Sequence, residues 1–110
     1  MKTFKIISEK IFFNNLYSLK AIRYSNALTE CAKRSSGFIS SKSYFSEEMG
    51  LNEKDKIKII TISDWKNKGS WDKWINSNER SQISKDFEDV KRKENFNRLF
   101  TKDINDIFLM

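Results

Sequence analysis

Three tryptophans, Trp65, Trp71 and Trp74, fall within ten residues of this sequence. They belong to the stretch Ile59-Ile-Thr-Ile-Ser-Asp-Trp65, with Trp74-Ile75-Asn76-Ser77 and Glu79-Arg80 following. Bulky aromatics wall ligand pockets, and a few polar groups orient what binds there. The same residues also suit a core: Trp71, Trp74 and Ile75 form one helical apolar patch, and Trp65 just past a strand can seal the end of a barrel. The carboxylates Asp64 and Glu9 are the candidate general bases, provided that burial raises their pKa. Asp64 also precedes a helix, where an acidic group is favoured by the helix dipole. Lys10, Arg23 and Arg80 are the cations placed to stabilise a developing anion. There is no histidine, so histidine is excluded as base, metal ligand or haem ligand. The single cysteine, Cys31, permits no internal disulfide, no CxxC pair and no zinc knuckle.

The elements that must position these residues follow from periodicity. The 110 residues make one domain over 1–110, with 38% hydrophobic and 33% charged residues, a balance that folds. Residues 3–13 alternate and predict a strand. Asn14 or Asn15 then offers an N-cap, and Tyr17, Ala21, Tyr24, Leu28 and Cys31 make one apolar helical stripe ending before Gly37. Cys31 thus reads as a small core residue. Residues 37–46 predict a second strand with Phe38, Ser40, Lys42 and Tyr44 on one face. Residues 47–54, with Gly50, read as a hairpin loop, and 56–63 as a third strand. After a turn at 64–69, Ser70 is expected to cap a short helix through Asn76. A further helix spans 78–93 with Ile83, Phe87 and Val90 in one row, and 104–110 is expected as a fourth strand. The order is that of the ferredoxin-like α+β fold, βαββαβ, with a four-stranded antiparallel sheet. Helices on one side leave the other sheet face uncovered. Ile57, Ile59, Ile60 and Ile62 put apolar groups on both faces, so a homodimer through the sheet face is expected.

At Ser36-Gly-Phe-Ile-Ser40, Ser63-Asp64-Trp65 and Trp74-Ile75-Asn76-Ser77 the chain resembles the antibiotic biosynthesis monooxygenases, a family of dimeric α+β barrels. That family opens its second strand with Gly-Phe. It ends its third strand in a Ser-Glu-Trp-like triplet, and a Trp-Leu-x-Ser-like tetrad follows about nine residues later. The resemblance spans nearly the whole chain in order and spacing. It implies a ferredoxin-like protomer, a dimer, and a pocket between helices and sheet. In active members the pocket holds a polycyclic phenol that activates dioxygen itself, without metal or flavin, so no cofactor is expected. The protein's part is to bind the ring, bias its ionisation and shield the radical pair from water. Trp65, Trp74 and Tyr44 are then the candidate wall residues for a small aromatic or quinol-like ligand. Lys10, Arg23 and Arg80 become candidates to hold a phenolate or superoxide.

Three other readings compete. The haem-degrading subgroup of the superfamily carries an axial histidine ten residues after the second tryptophan. Ser84 stands there in this chain, so haem degradation is not expected. The RNA-recognition fold shares the element order, but residues 36–43 match its octamer only at Gly-Phe and on the wrong strand. The +6 charge is mostly scattered lysine, which reads as a solvated surface, and nucleic acid is not an expected partner. The third alternative is a non-catalytic binding or structural dimer on the same scaffold. The apolar run after Lys2 is interrupted at Ser8-Glu9-Lys10, too early for a secretory segment or a membrane span. A cytoplasmic setting is the expectation.

Overall fold

A computed structural model describes residues 3–13, 18–48 and 56–99. Seven elements follow one another: β1 (Phe4–Phe12), α1 (Ser18–Lys33), β2 (Phe38–Glu48), β3 (Lys56–Trp65), α2 (Lys68–Ile75), α3 (Asn78–Asp86) and β4 (Arg92–Leu99). The strands form one antiparallel sheet in the order β2-β3-β1-β4, the ferredoxin-like arrangement.

β1 shows why one side of the sheet is core. Its period of two buries Phe4, Ile6, Ser8, Lys10 and Phe12 beneath the helices, while Lys5, Ile7, Glu9 and Ile11 face the other way. From α1, the expected stripe residues Ala21, Tyr24, Leu28 and Cys31 are all buried; Tyr17 and the Asn14/Asn15 cap lie outside the described residues. Phe12, Tyr24, Leu28, Ile57, Ile59 and Val90 form the core at one end. Phe4, Ile6, Ala32 and Trp65 form it at the other, and Trp74 packs against both groups.

Several expected boundaries move. The expected face shared by Phe38, Ser40, Lys42 and Tyr44 is split by a bulge between Phe38 and Ser40. Phe38 packs inward, edge-on to Trp65 at 5.3 Å, whereas Tyr44 pairs with Ile60 on the open face. The N-cap of α2 is Asn67 rather than Ser70: its side chain accepts from the Ser70 amide at 2.8 Å, starting the helix earlier. Ser77 caps α3 by accepting from the Arg80 amide at 3.2 Å. α3 ends at Asp86 instead of 93. Phe87 and Val90 still pack on the core, from the turn that follows.

The fourth strand is Arg92–Leu99, paired along its length with β1. The expected strand at 104–110 lies outside the described residues, as does most of the 47–54 loop. The segment 92–97 begins with Arg92 and Lys93, which the expected 78–93 helix includes. It becomes a strand because Arg92, Glu94 and Phe96 face the interior, where Arg92 pairs with Glu94 and Phe96 packs on Trp71, leaving Lys93, Asn95 and Asn97 on the open face.

Candidate functional site

The inward row of β1 is apolar at its ends and polar in its middle, at Ser8 and Lys10. Lys10 is only 4% exposed, and its Nζ donates to Ser8 Oγ at 3.2 Å. Directly across the ladder from Lys10 stands Glu94 of β4. The Glu94 carboxylate accepts a short hydrogen bond from the Tyr24 hydroxyl, one from Arg80 Nη2 at 3.0 Å and one from Arg92 Nε at 3.1 Å. Arg92 also donates to the carbonyls of Phe87 (2.8 Å) and Val90 (3.0 Å) and to Ser84 Oγ (3.0 Å), which ties the turn after α3 to β4. Its guanidinium lies 4.0 Å over the Tyr24 ring. Three cations, Lys10, Arg80 and Arg92, thus share one carboxylate.

The electrostatics follow from that imbalance. Burial, only partly offset by Glu94 and reinforced by Arg80 and Arg92, lowers the Lys10 pKa from 10.5 to about 8. Burial and the bond to Glu94 push Tyr24 up to about 12. Burial alone would raise Glu94, but the Tyr24 hydrogen bond and the charges of Lys10 and Arg80 outweigh it and hold Glu94 below the usual carboxylate range.

Beside this network, between sheet and helices, lies a cavity. Phe38, Trp65, Trp71, Trp74 and Phe96 form its aromatic wall, with Ile6 and Leu28; Ser8, Lys10, Ser25, Ser41 and Ser63 supply polar atoms. Its empty space is about 400 Å³ including its opening to solvent. The roomy part is about 30 Å³, enough for about two waters. Trp65 and Trp74 face each other at 5.4 Å, tilted by 32°. The Trp65 indole N–H is held by Ser63 Oγ at 3.0 Å. The Trp74 indole N–H is buried and faces the Cys31 thiol, without a hydrogen bond of ordinary geometry. Its neighbour Cys31 is a poor acceptor, since burial pushes the thiol up and keeps it neutral. Arg80, stacked 5.3 Å over the Trp74 ring, also has a buried and unpartnered Nε–H.

The structure therefore sorts the expected site residues. Trp65 and Trp74 line the cavity together. Tyr44 does not: it lies on the opposite sheet face, with the Lys42 ammonium 5.4 Å over its ring. The candidate bases Asp64 and Glu9 also stand on that far face. Asp64 pairs with Lys5 at 3.6 Å and accepts from Ser40, and Glu9 pairs with Lys58 at 3.3 Å. Neither reaches the cavity, because in a strand the neighbours of an inward residue point outward. Of the three candidate cations, Lys10 lines the cavity, Arg80 backs its wall and Arg23 is exposed on α1. Glu94, Tyr24 and Arg92 went unrecognised as a polar cluster. Among the described residues no group of three or more Cys, Asp or Glu gathers into a metal-binding set, and no helix is long and apolar enough to cross a membrane.

No protein-family model matches the sequence, and no curated protein matches it significantly. Solved structures do resemble the fold. An antibiotic biosynthesis monooxygenase superposes with a TM-score of 0.66 at 8% identity, over 91% of this chain and 99% of its own. A conserved protein from Bacteroides thetaiotaomicron, described as a possible oxidoreductase, gives 0.65 at 13% identity over 90% and 98%. SnoaB, a cofactor-independent oxygenase from Streptomyces nogalater, gives 0.61 at 5% identity over 93% and 96%. The fold is the one these three structures share, in agreement with the motifs at Ser36–Ser40, Ser63–Trp65 and Trp74–Ser77.

Proposed function

We propose that the cavity binds a small aromatic phenol or quinol and that the protein oxygenates it with dioxygen, using no cofactor. The observation that carries this reading is a buried amine, Lys10, set in a cavity otherwise lined by aromatic, aliphatic and hydroxyl side chains. The wall holds the ring, and the positive interior made by Lys10, Arg80 and Arg92 favours its ionised form. An ionised, electron-rich ring passes one electron to dioxygen, and the caged radical pair combines. One ring C–H carbon then takes up an oxygen atom and the ring is left as a quinone; the second oxygen leaves as water with two hydrogens of the substrate, and all four electrons come from the substrate. Seclusion beneath α2 keeps the radicals from solvent. Because the roomy part admits only about two waters, even a ligand of one or two rings must move wall side chains to enter, and a larger polycycle must move more of them. The open sheet face, with Ile7, Ile60 and Ile62, pairs with a second copy in this reading.

Titration with one- and two-ring quinols in chelator-treated buffer, following tryptophan fluorescence and oxygen together, tests this. Saturable quenching with one oxygen consumed per ligand is expected, and Trp74→Phe should weaken both signals. Quenching without oxygen uptake would leave a binding protein on this fold, and no response from any quinol would count against both readings.

A further inference from the structure

Lys10 is the one amine in the cavity lining, and it is only 4% exposed. Among the described residues its Nζ makes one hydrogen bond, to Ser8 Oγ at 3.2 Å. Glu94 of β4 is the carboxylate that faces it across the ladder, and that group is already held by Tyr24 of α1, Arg80 and Arg92. Arg80 from α3 and Arg92 from β4 oppose a further cation at this place. Ile6, Leu28, Ala32 and the aromatic side chains of the remaining wall offer an ammonium no solvation. A lysine desolvated in this way, with other cations beside it, has its amine lone pair free to attack a carbonyl carbon. Its pKa, lowered to about 8, agrees with that setting.

We propose that Lys10 captures a short, uncharged aldehyde in this cavity as an imine. The space sets the size of the partner. The roomy part, about 30 Å³, holds about two waters, which is room for a carbonyl group with about two further carbons. An uncharged aldehyde brings no further ion into a lining whose other members are apolar or hydroxyl-bearing. The neutral Nζ attacks the carbonyl carbon, and an N–C bond forms as the C=O π pair moves to oxygen. That oxygen takes up the two Nζ hydrogens and leaves as water; the C–O bond breaks as the N=C bond forms. Nothing is oxidised or reduced. Capture needs neither dioxygen nor an aromatic ligand, so it goes beyond the oxygenation proposed above. At neutral pH most Lys10 is the ammonium used in that reaction, and the neutral fraction that captures aldehyde grows through about pH 8.

The probe is propanal, equilibrated with the native protein and then reduced with borohydride, which fixes each imine as an N-propyl lysine for peptide mass mapping. At about pH 8, Lys10 should carry about tenfold more label than the average of the other lysines. Its labelling should level off above about pH 8, whereas that of exposed lysines should keep climbing toward about pH 10.5. In urea the preference should vanish, because the unfolded chain no longer desolvates Lys10. Benzaldehyde, whose ring must move wall side chains, should label Lys10 several-fold less than propanal. Label spread evenly over the lysines, or a Lys10 that stays unmodified, would overturn the capture. So would a Lys10 profile that climbs with the exposed lysines, or a preference that survives unfolding. Benzaldehyde labelling Lys10 as fully as propanal would overturn the short-chain limit while agreeing with the aromatic reading. All of these measurements use the native sequence, so none depends on a variant that folds.

Discussion

A lysine ammonium loses hydration free energy wherever it leaves water, and Lys10 leaves it almost completely. Its folded pKa of about 8 against an ordinary 10.5 corresponds to a penalty on the order of 3 kcal/mol when charged. The sign is definite: between about pH 8 and 10.5 the unfolded chain binds more protons at this position, so stability rises with pH there. Tyr24, pushed up to about 12, acts in the opposite sense from about pH 10, since the folded chain then holds its proton more tightly. Urea midpoints of the native chain should therefore climb from about pH 8 to 10. In Lys10→Met, similar in volume and uncharged, that climb should vanish, with neutral-pH stability higher by up to about 3 kcal/mol. A variant that kept the climb would show that another group causes it. The inward position of Lys10 was legible: counting by two from Phe4 and Ile6 reaches Ser8 and Lys10, and the same count sends Glu9 to the far face. Asp64 follows the same logic from Trp65. Treating these carboxylates as bases overlooked the parity of their strands.

At the scale of elements, the cavity depends on how β2, β3 and α2 meet. Gly37 opens β2 at φ +88°, and its carbonyl accepts from the Lys66 amide at 2.7 Å, joining the ends of β2 and β3. A Cβ on Gly37 would come within 2.1 Å of Ser70 Oγ and 2.5 Å of Ser70 Cβ in the first turn of α2. Gly37→Ala should therefore destabilise the fold by about 2 kcal/mol or more, through both the left-handed backbone and the clash. Asn67→Ala removes the α2 cap and should cost about 1 kcal/mol. Thermal melts check both, and a Gly37→Ala protein with native stability would contradict this account of the junction. Both substitutions act on the helix that carries Trp71 and Trp74, so ligand affinity should fall with them. The apolar periodicities of β1, α1 and β3 announced those elements. β4 did not announce itself, because its inward row is Arg92, Glu94, Phe96 and Arg98. Such a row makes a strand only when α1 and α3 bring Tyr24 and Arg80 to its charges.

For the whole molecule, the open face of the sheet is the main outstanding surface. Ile7 pairs with Ile62 in the centre of that face, Ile11 and Ile60 stand near them, and Lys5, Glu9, Lys58 and Asp64 surround them as ion pairs. Light scattering at micromolar concentration should give twice the chain mass. Ile62→Glu should return it to the mass of one chain while leaving near-ultraviolet dichroism of the buried tryptophans intact. A native protein of single-chain mass would remove the dimer from the proposed function. The cavity lies on the other side of the sheet, so ligand binding should survive in the Ile62→Glu protein.

Period-two and period-3.6 patterns are local properties, which is why the strand–helix order, the ferredoxin-like fold and the tryptophan motifs could be read from the residues alone. The partners of charged side chains are not local. Glu94 meets Tyr24, Arg80 and Arg92 from three separate elements, and Tyr44 is turned to the far face by a single bulge. Tertiary structure alone decided that the interior holds three cations to one carboxylate, because only packing determines which charges lose water together.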